Sequence, residues 1–296
     1  MKLFFLVSLV SLTGLLASCS QKPETPRPDH IIVIMEENHG YDELIGSSNA
    51  PFINQLAQES AIFTDSHGVT HPSQPNYLAL YSGSTQGVTG DDCLDKVSPY
   101  TTPNLGASLI KKGFTFKGYG QTMPSAGFLG CEYIKSTLTD LFLYARKHAP
   151  WVNWIGKGEN NIPASVSLPL TEFPKDFSKL PTVAFVIPDM DNDMHNIGKP
   201  GDAAAIQRGD QWLKDNMGAY VKWAKTHNSL LIVTFDEDDF KPINHIPTIF
   251  SGANVKTGQY DQKINHYNVL HTIEAMYDLP VQDSTKAEII TGIWKK

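Results

Sequence analysis

Six short apolar runs set the terms on which this chain can fold. They are His30-Ile31-Ile32-Val33-Ile34-Met35, Ala61-Ile62-Phe63-Thr64, Phe114 to Tyr119, Pro181 to Ile187, Ser229 to Phe235 and Ile246 to Gly252. The strongest are rich in β-branched residues and show no polar alternation, the pattern of strands buried on both faces. Helical patterns stand between them. Pro51 to Ser60 places Phe52, Ile53, Leu56 and Ala57 on one side, and Asn104 to Lys112 is stopped by Gly113. Asp202 to Thr226 offers Ile206, Trp212, Leu213, Tyr220 and Trp223 as a buried face, and Asn265 to Tyr277 is a last helix. Strands alternating with helices imply an α/β fold with a mainly parallel sheet covered on both faces. In such a sheet the ligand site lies beyond the carboxyl ends of the strands.

Polar residues gather where that rule looks for them. The first strand runs into Glu37-Asn38, the strand at Pro181 runs into the segment Asp189 to His195, and the strand at Ser229 runs into Asp236-Glu237. Taken singly, such ends are solvated loop charges or helix caps. Sharing one crevice, carboxylates and amides form an oxygen-rich set suited to a hard divalent cation. Without a cation they would repel and raise one another's pKa.

Ser73 stands in Thr70-His71-Pro72-Ser73-Gln74-Pro75-Asn76-Tyr77, a polar run that turns into an apolar helix start. The pattern places Ser73 at or near the N-cap, where free backbone N–H groups and the positive helix end favour a phosphate. A serine there can simply cap the helix. Next to a divalent cation it can also attack phosphorus. His39, His71, His195, His245 and His266 are candidates to pair with phosphate oxygens or assist the leaving group. His195 gains weight from sharing a loop with Asp189, Asp191 and Asp193, and His266 from opening the last helix.

Five stretches, in order, carry a resemblance. They are Glu37-Asn38-His39 with Tyr41-Asp42, Thr70 to Tyr77, Asn192-Asp193-Met194-His195, Thr234 to Asp239, and Ile246 to Phe250. Together they resemble the secreted bacterial and fungal acid phosphatase/phosphoesterase family, related to bacterial phospholipases C within the alkaline phosphatase superfamily. The likeness runs from about His30 to Pro280. It implies an alkaline-phosphatase-like three-layer sandwich and a divalent metal held by Glu37, Asn38, Asp236 and Glu237. Ser73 would be both nucleophile and metal contact. His195, His266 and Asp193 would lie near the phosphate. His245 receives no role. Asp236-Glu237, where the superfamily's two-zinc pattern has Asp-His, implies a different or single metal. The expected activity is a metal-dependent acid phosphatase acting on phosphate monoesters through a phosphoserine. A phospholipase C-type phosphodiesterase is the alternative, and a sulfatase or a non-catalytic binding lipoprotein of the envelope ranks lower.

The remaining sequence supplies an address. Lys2, the apolar run Leu3 to Leu16 and Leu16-Ala17-Ser18-Cys19 have the layout of a bacterial lipoprotein signal, with Cys19 as the lipidated residue. The apolar run is too short for a stable membrane span. Residues 1–18 then form the signal, residues 19–29 a proline-rich tether and residues 30–296 the phosphoesterase domain, anchored by lipid in the bacterial envelope. An exported chain meets an oxidising compartment, so Cys93 and Cys131 are expected to be bridged. A formal charge of −7 argues against general nucleic-acid binding, yet a small phosphate ester remains compatible because a local cation outweighs the overall balance. From Gly120 to about Lys179 the pattern is broken by prolines, and this stretch is expected to be an ordered excursion shaping the mouth of the site.

Overall fold

The computed structural model describes residues 25–282, 285 and 287–296. The signal segment, Cys19 and the first part of the tether lie outside the described residues. Strands are β1 (His30–Glu36), β2 (Ala61–Phe63), β3 (Ser66–His67), β4 (Phe116–Gly120), β5 (Glu132–Lys135), β6 (Phe142–Ala145), β7 (Ser167–Pro169), β8 (Val183–Ile187), β9 (Ser229–Phe235), β10 (Thr248–Gly252), β11 (Gly258–Tyr260) and β12 (Ile264–Asn265). The α-helices are α1 (Tyr41–Leu44), α2 (Pro51–Gln58), α3 (Ser73–Ser82), α4 (Leu105–Lys111), α5 (Asp202–Ala224) and α6 (His266–Met276).

An eight-stranded sheet in the order β11-β2-β10-β9-β1-β8-β4-β7 is the middle layer. Every strand pairing in it is parallel except those of β10, which runs against both β9 and β2. The continuous apolar runs are buried on both faces, as their patterning requires. Along β1, Ile31, Val33 and Met35 join the core of one face and Ile32 and Ile34 the core of the other. Helices α3, α4 and α6 supply residues to the first core, and α2 and α5 to the second. The expected three-layer α/β architecture is therefore present.

Topology places β1 between β9 and β8. These are the three strands with acidic ends, and they run parallel, so the three ends meet on one edge. Two backbone hydrogen bonds lock them beyond the sheet: Glu37 N–H donates to Asp193 O at 2.8 Å and Asp236 N–H to Glu36 O at 3.0 Å.

The pattern-poor stretch after Gly120 is ordered. It forms the β5–β6 hairpin and short 3-10 segments, and buries Trp151 and Trp154 in the core. It returns as β7, an edge strand that its local sequence does not announce. Cys93 and Cys131 are joined, which ties this excursion to the loop after α3.

Candidate active site

Ser73 is brought into the crevice by the start of α3. Asn76 shapes the approach. Its Oδ1 accepts from Val69 N at 2.8 Å and Thr70 N at 3.0 Å, and its Nδ2 donates to Thr70 O at 2.7 Å. All ten residues of α3 are buried, and Gly83 ends the helix with a left-handed φ of 66°. The expected N-cap shifts by one residue: Pro72 occupies it, and Ser73 is the first helical residue. Its hydroxyl is thereby free of capping and turns to the carboxylates. The next N–H, that of Gln74, is already given to Asp91 Oδ1 at 2.9 Å, so the helix start does not offer it to a phosphate. The expectation that free backbone N–H groups at the helix start favour a phosphate is therefore not met at Gln74.

Around Ser73 the five residues expected to hold a metal converge. Ser73 Oγ lies 3.0 Å from Glu37 Oε2, 3.2 Å from Glu237 Oε1 and 3.5 Å from Asn38 Oδ1. Asn38 N–H donates to Asp236 Oδ1 at 3.0 Å. Tyr77, one helical turn after Ser73, donates to Glu37 Oε1 at 2.5 Å and leaves Oε2 turned to the serine. His71 Nδ1 donates to Glu237 Oε2 at 2.5 Å, and its ring stacks on Phe240.

One cation, Lys147, acts on the cluster, and burial of the carboxylates outweighs it. Burial, then Asp236 and Asp193, push Glu37 well above the carboxylate range. Burial pushes Asp236 up to about 6, and burial plus the adjacent Asp236 pushes Glu237 up to about 8. Asp193 is raised by burial as well. Asp236 Oδ2, Asp193 Oδ2 and His148 Nε2 are buried without a hydrogen-bond partner. Buried acceptors left unpaired cost free energy, and a cation would satisfy them. The donor set therefore fits a divalent ion. Glu37, Asn38, Asp236 and Glu237 offer hard oxygens beside the Ser73 hydroxyl, and the ligating atoms of Glu37, His148 and His195 also lie within 4.8 Å of one another.

His148 is the site residue that the sequence reading missed. Its Nε2 is 3.1 Å from Glu37 Oε1 and its Nδ1 3.3 Å from Asp193 Oδ2, and its ring stacks on Tyr77. Only the basic triplet Arg146-Lys147-His148, set between apolar residues, could have drawn attention to it. Burial keeps it neutral, and burial also pulls His195 down to about 4. Asp193 Oδ1 accepts from His195 N at 2.9 Å and fixes that loop.

The other histidines are braces. His266 donates from Nε2 to the Asp236 carbonyl at 2.8 Å, so it holds the strand end that carries the ligands. Its ring is fully buried, and burial lowers it to about 4. His39 contacts Glu37 O and Asp202, and His245 contacts Thr64 O while stacking on Tyr41.

This sheet with its crevice is the fold of the alkaline phosphatase superfamily. A protein of that superfamily from Vibrio parahaemolyticus superposes with a TM-score of 0.60 at 15% identity, covering 90% of this chain and 72% of that one. The phosphonate monoester hydrolase SpPMH from Silicibacter pomeroyi gives 0.52 at 11% identity, over 90% and 76% of the two chains.

Within that fold class the chain belongs to the Phosphoesterase family, whose model matches residues 47–280. The match begins after Glu37 and Asn38, which the structure adds to the site. The chain is 44% identical over 291 residues to a phosphatidylinositol-3-phosphatase of Mycobacterium tuberculosis, covering 97% of this chain and 88% of that protein. It is 29% identical over 252 residues to an acid phosphatase of Aspergillus fumigatus, covering 82% of this chain and 54% of the relative. The chain is accordingly a phosphoric ester hydrolase of the phosphatase kind.

Proposed function

We propose that this protein is a divalent-metal-dependent acid phosphatase that hydrolyses phosphate monoesters through a phosphoserine at Ser73. The observation that carries the reading is the Ser73 hydroxyl held between Glu37 and Glu237, at 3.0 and 3.2 Å, inside a buried carboxylate cluster. Glu37, Asn38, Asp236 and Glu237 would hold the metal. When bound, it supplies a lowered hydroxyl pKa and polarises a phosphoryl oxygen. Ser73 Oγ bonds to phosphorus as the ester P–O bond breaks; the serine proton passes through a neighbouring carboxylate to the departing oxygen, which leaves as the alcohol. Tyr77 orients Glu37 for that contact. Neutral His195 offers its ring Nε2 side toward the phosphoryl oxygens, while His148 holds Glu37 and Asp193 in place. Water then cleaves the phosphoserine and releases phosphate.

The relatives favour a monoester over the phospholipase-type diester. The mycobacterial relative is named for a phosphorylated lipid headgroup, which supports an inositol-like monoester as a substrate to test first. We also infer that Cys19 is lipidated and holds the enzyme at the envelope; labelling with a radioactive fatty acid should mark the wild type and not Cys19→Ala.

The catalytic proposal is tested with Ser73→Ala. Turnover of 4-nitrophenyl phosphate should fall by at least about a thousandfold with the melting temperature kept. Acid-quenched wild type should carry labelled phosphate on Ser73. Retained turnover, or activity indifferent to chelator, would defeat the reading.

A further inference from the structure

The loop after β9 carries Asp236 and Glu237 and then an aromatic ring that the proposed mechanism does not use. Phe240 is 64% exposed. One exposed apolar side chain means little by itself. What singles out Phe240 is where its ring lies and how it is held. The ring stacks on His71, with centroids 4.9 Å apart and planes 20° from parallel. His71 covers one face, and at that exposure the other is open. Short steps lead from there to the reacting hydroxyl. His71 Nδ1 is 2.5 Å from Glu237 Oε2, and Glu237 Oε1 is 3.2 Å from Ser73 Oγ.

The backbone of Phe240 has a φ of 64°, in the left-handed region that a bulky side chain rarely adopts. Such a conformation persists only where its surroundings impose it. Here a braced loop does so. Asp238 accepts from Lys241 N at 2.8 Å and from His245 N at 3.0 Å, and its own N–H donates to Asn244 Oδ1 at 2.9 Å. Asn244 Nδ2 donates to Thr70 O at 3.0 Å, which ties the loop to the segment leading into Ser73. The Lys241 carbonyl lies 3.2 Å from His71 Nε2. An exposed ring pinned in this way is stabilised when a second flat apolar surface covers its open face.

We propose that Phe240 is the platform for the alcohol portion of the substrate, stacking on an aromatic ring joined to the ester oxygen directly or through a methylene. The substrate class is a phosphate monoester of an aryl or arylmethyl alcohol, and the preference holds whatever lies further along that alcohol. The inference rests on phosphoryl transfer at Ser73. Phe240 sets specificity there and takes no part in bond making.

The test compares benzyl phosphate with ethyl phosphate on the full chain in the presence of a divalent cation. Both esters release primary alcohols, so leaving-group chemistry is matched. Wild type should favour the benzyl ester. Phe240→Ala should lower the ratio of the two kcat/KM values by at least about fivefold, while Phe240→Tyr should keep most of it. Equal loss on both esters would overturn the proposal, because the ring would then act only through His71 and Glu237. An unchanged ratio would overturn it too, and would leave the open face to a membrane or a protein. A wild type inactive on both esters would instead defeat the phosphatase reading. The platform is then judged by calorimetric binding of 2-phenylethylphosphonate and propylphosphonate, in which a methylene replaces the ester oxygen. Phe240→Ala should weaken the first by at least about fivefold and spare the second. Equal weakening of both, weakening of neither, or no binding of either to the wild type refutes the platform.

Discussion

Replacing Asp236 by asparagine isolates what the buried carboxylates cost the protein when no cation is bound. Burial raises Asp236 from 3.8 to about 6, even though Asn38 N–H donates to it. A raised carboxyl binds its proton more tightly folded than unfolded. Its contribution is complete below the unfolded value of 3.8 and is lost as pH rises through about 6. A shift of about two units corresponds to about 3 kcal/mol. Glu237, raised to about 8, extends the same trend to higher pH. Asparagine keeps the Oδ1 acceptor for Asn38 and never ionises.

In chelator near about pH 8, Asp236→Asn should therefore melt above wild type by roughly 5–10 °C, whereas near about pH 4 the two should melt together. Adding a divalent cation should reverse the order, because ionised ligands bind it and the wild type keeps more of them. Calorimetric melts at the two pH values, with chelator and then with each cation in turn, measure this. If Asp236→Asn gains nothing over wild type at the higher pH, or shows the same gap at both, the carboxylate repulsion argument fails.

Two further outcomes follow from the site and its frame. His148→Ala should cut kcat/KM by about 10²–10⁴ while elemental analysis finds the metal retained, and loss of the metal would reassign His148 as a ligand. Cys93→Ser with Cys131→Ser opens a loop of 38 residues and should cost about 4 kcal/mol, read as a lower denaturation midpoint. An unchanged midpoint would show that the tie does not stabilise the chain.

The legible parts of this protein were those with local causes. Each continuous apolar run became a strand buried on both faces, and Ser229–Phe235 matches its observed bounds residue for residue. The helix expected from Asp202 ends at Ala224, two residues early, a difference within ordinary end fraying. Short edge elements escaped. β7 and β11 have three residues each and take their strand form from a neighbour, leaving no period in the sequence to detect. His148 escaped for the same kind of reason. It sits in a three-residue 3-10 turn, and its partners Glu37 and Asp193 are far away along the chain.

What the sequence by itself determined was the layered α/β architecture, the acidic strand ends and a serine poised at a helix start. These follow from side-chain periodicity and backbone preference, which act between near neighbours. Only the tertiary structure decided which ends meet. It set β1 between β8 and β9 and moved Ser73 one residue into its helix. It also covered the Gln74 N–H with Asp91 and brought Lys147 and His148 in from the excursion. Those choices depend on strand order and burial across long sequence separations, where charge and hydrogen bonding act through space and local pattern carries no record of them.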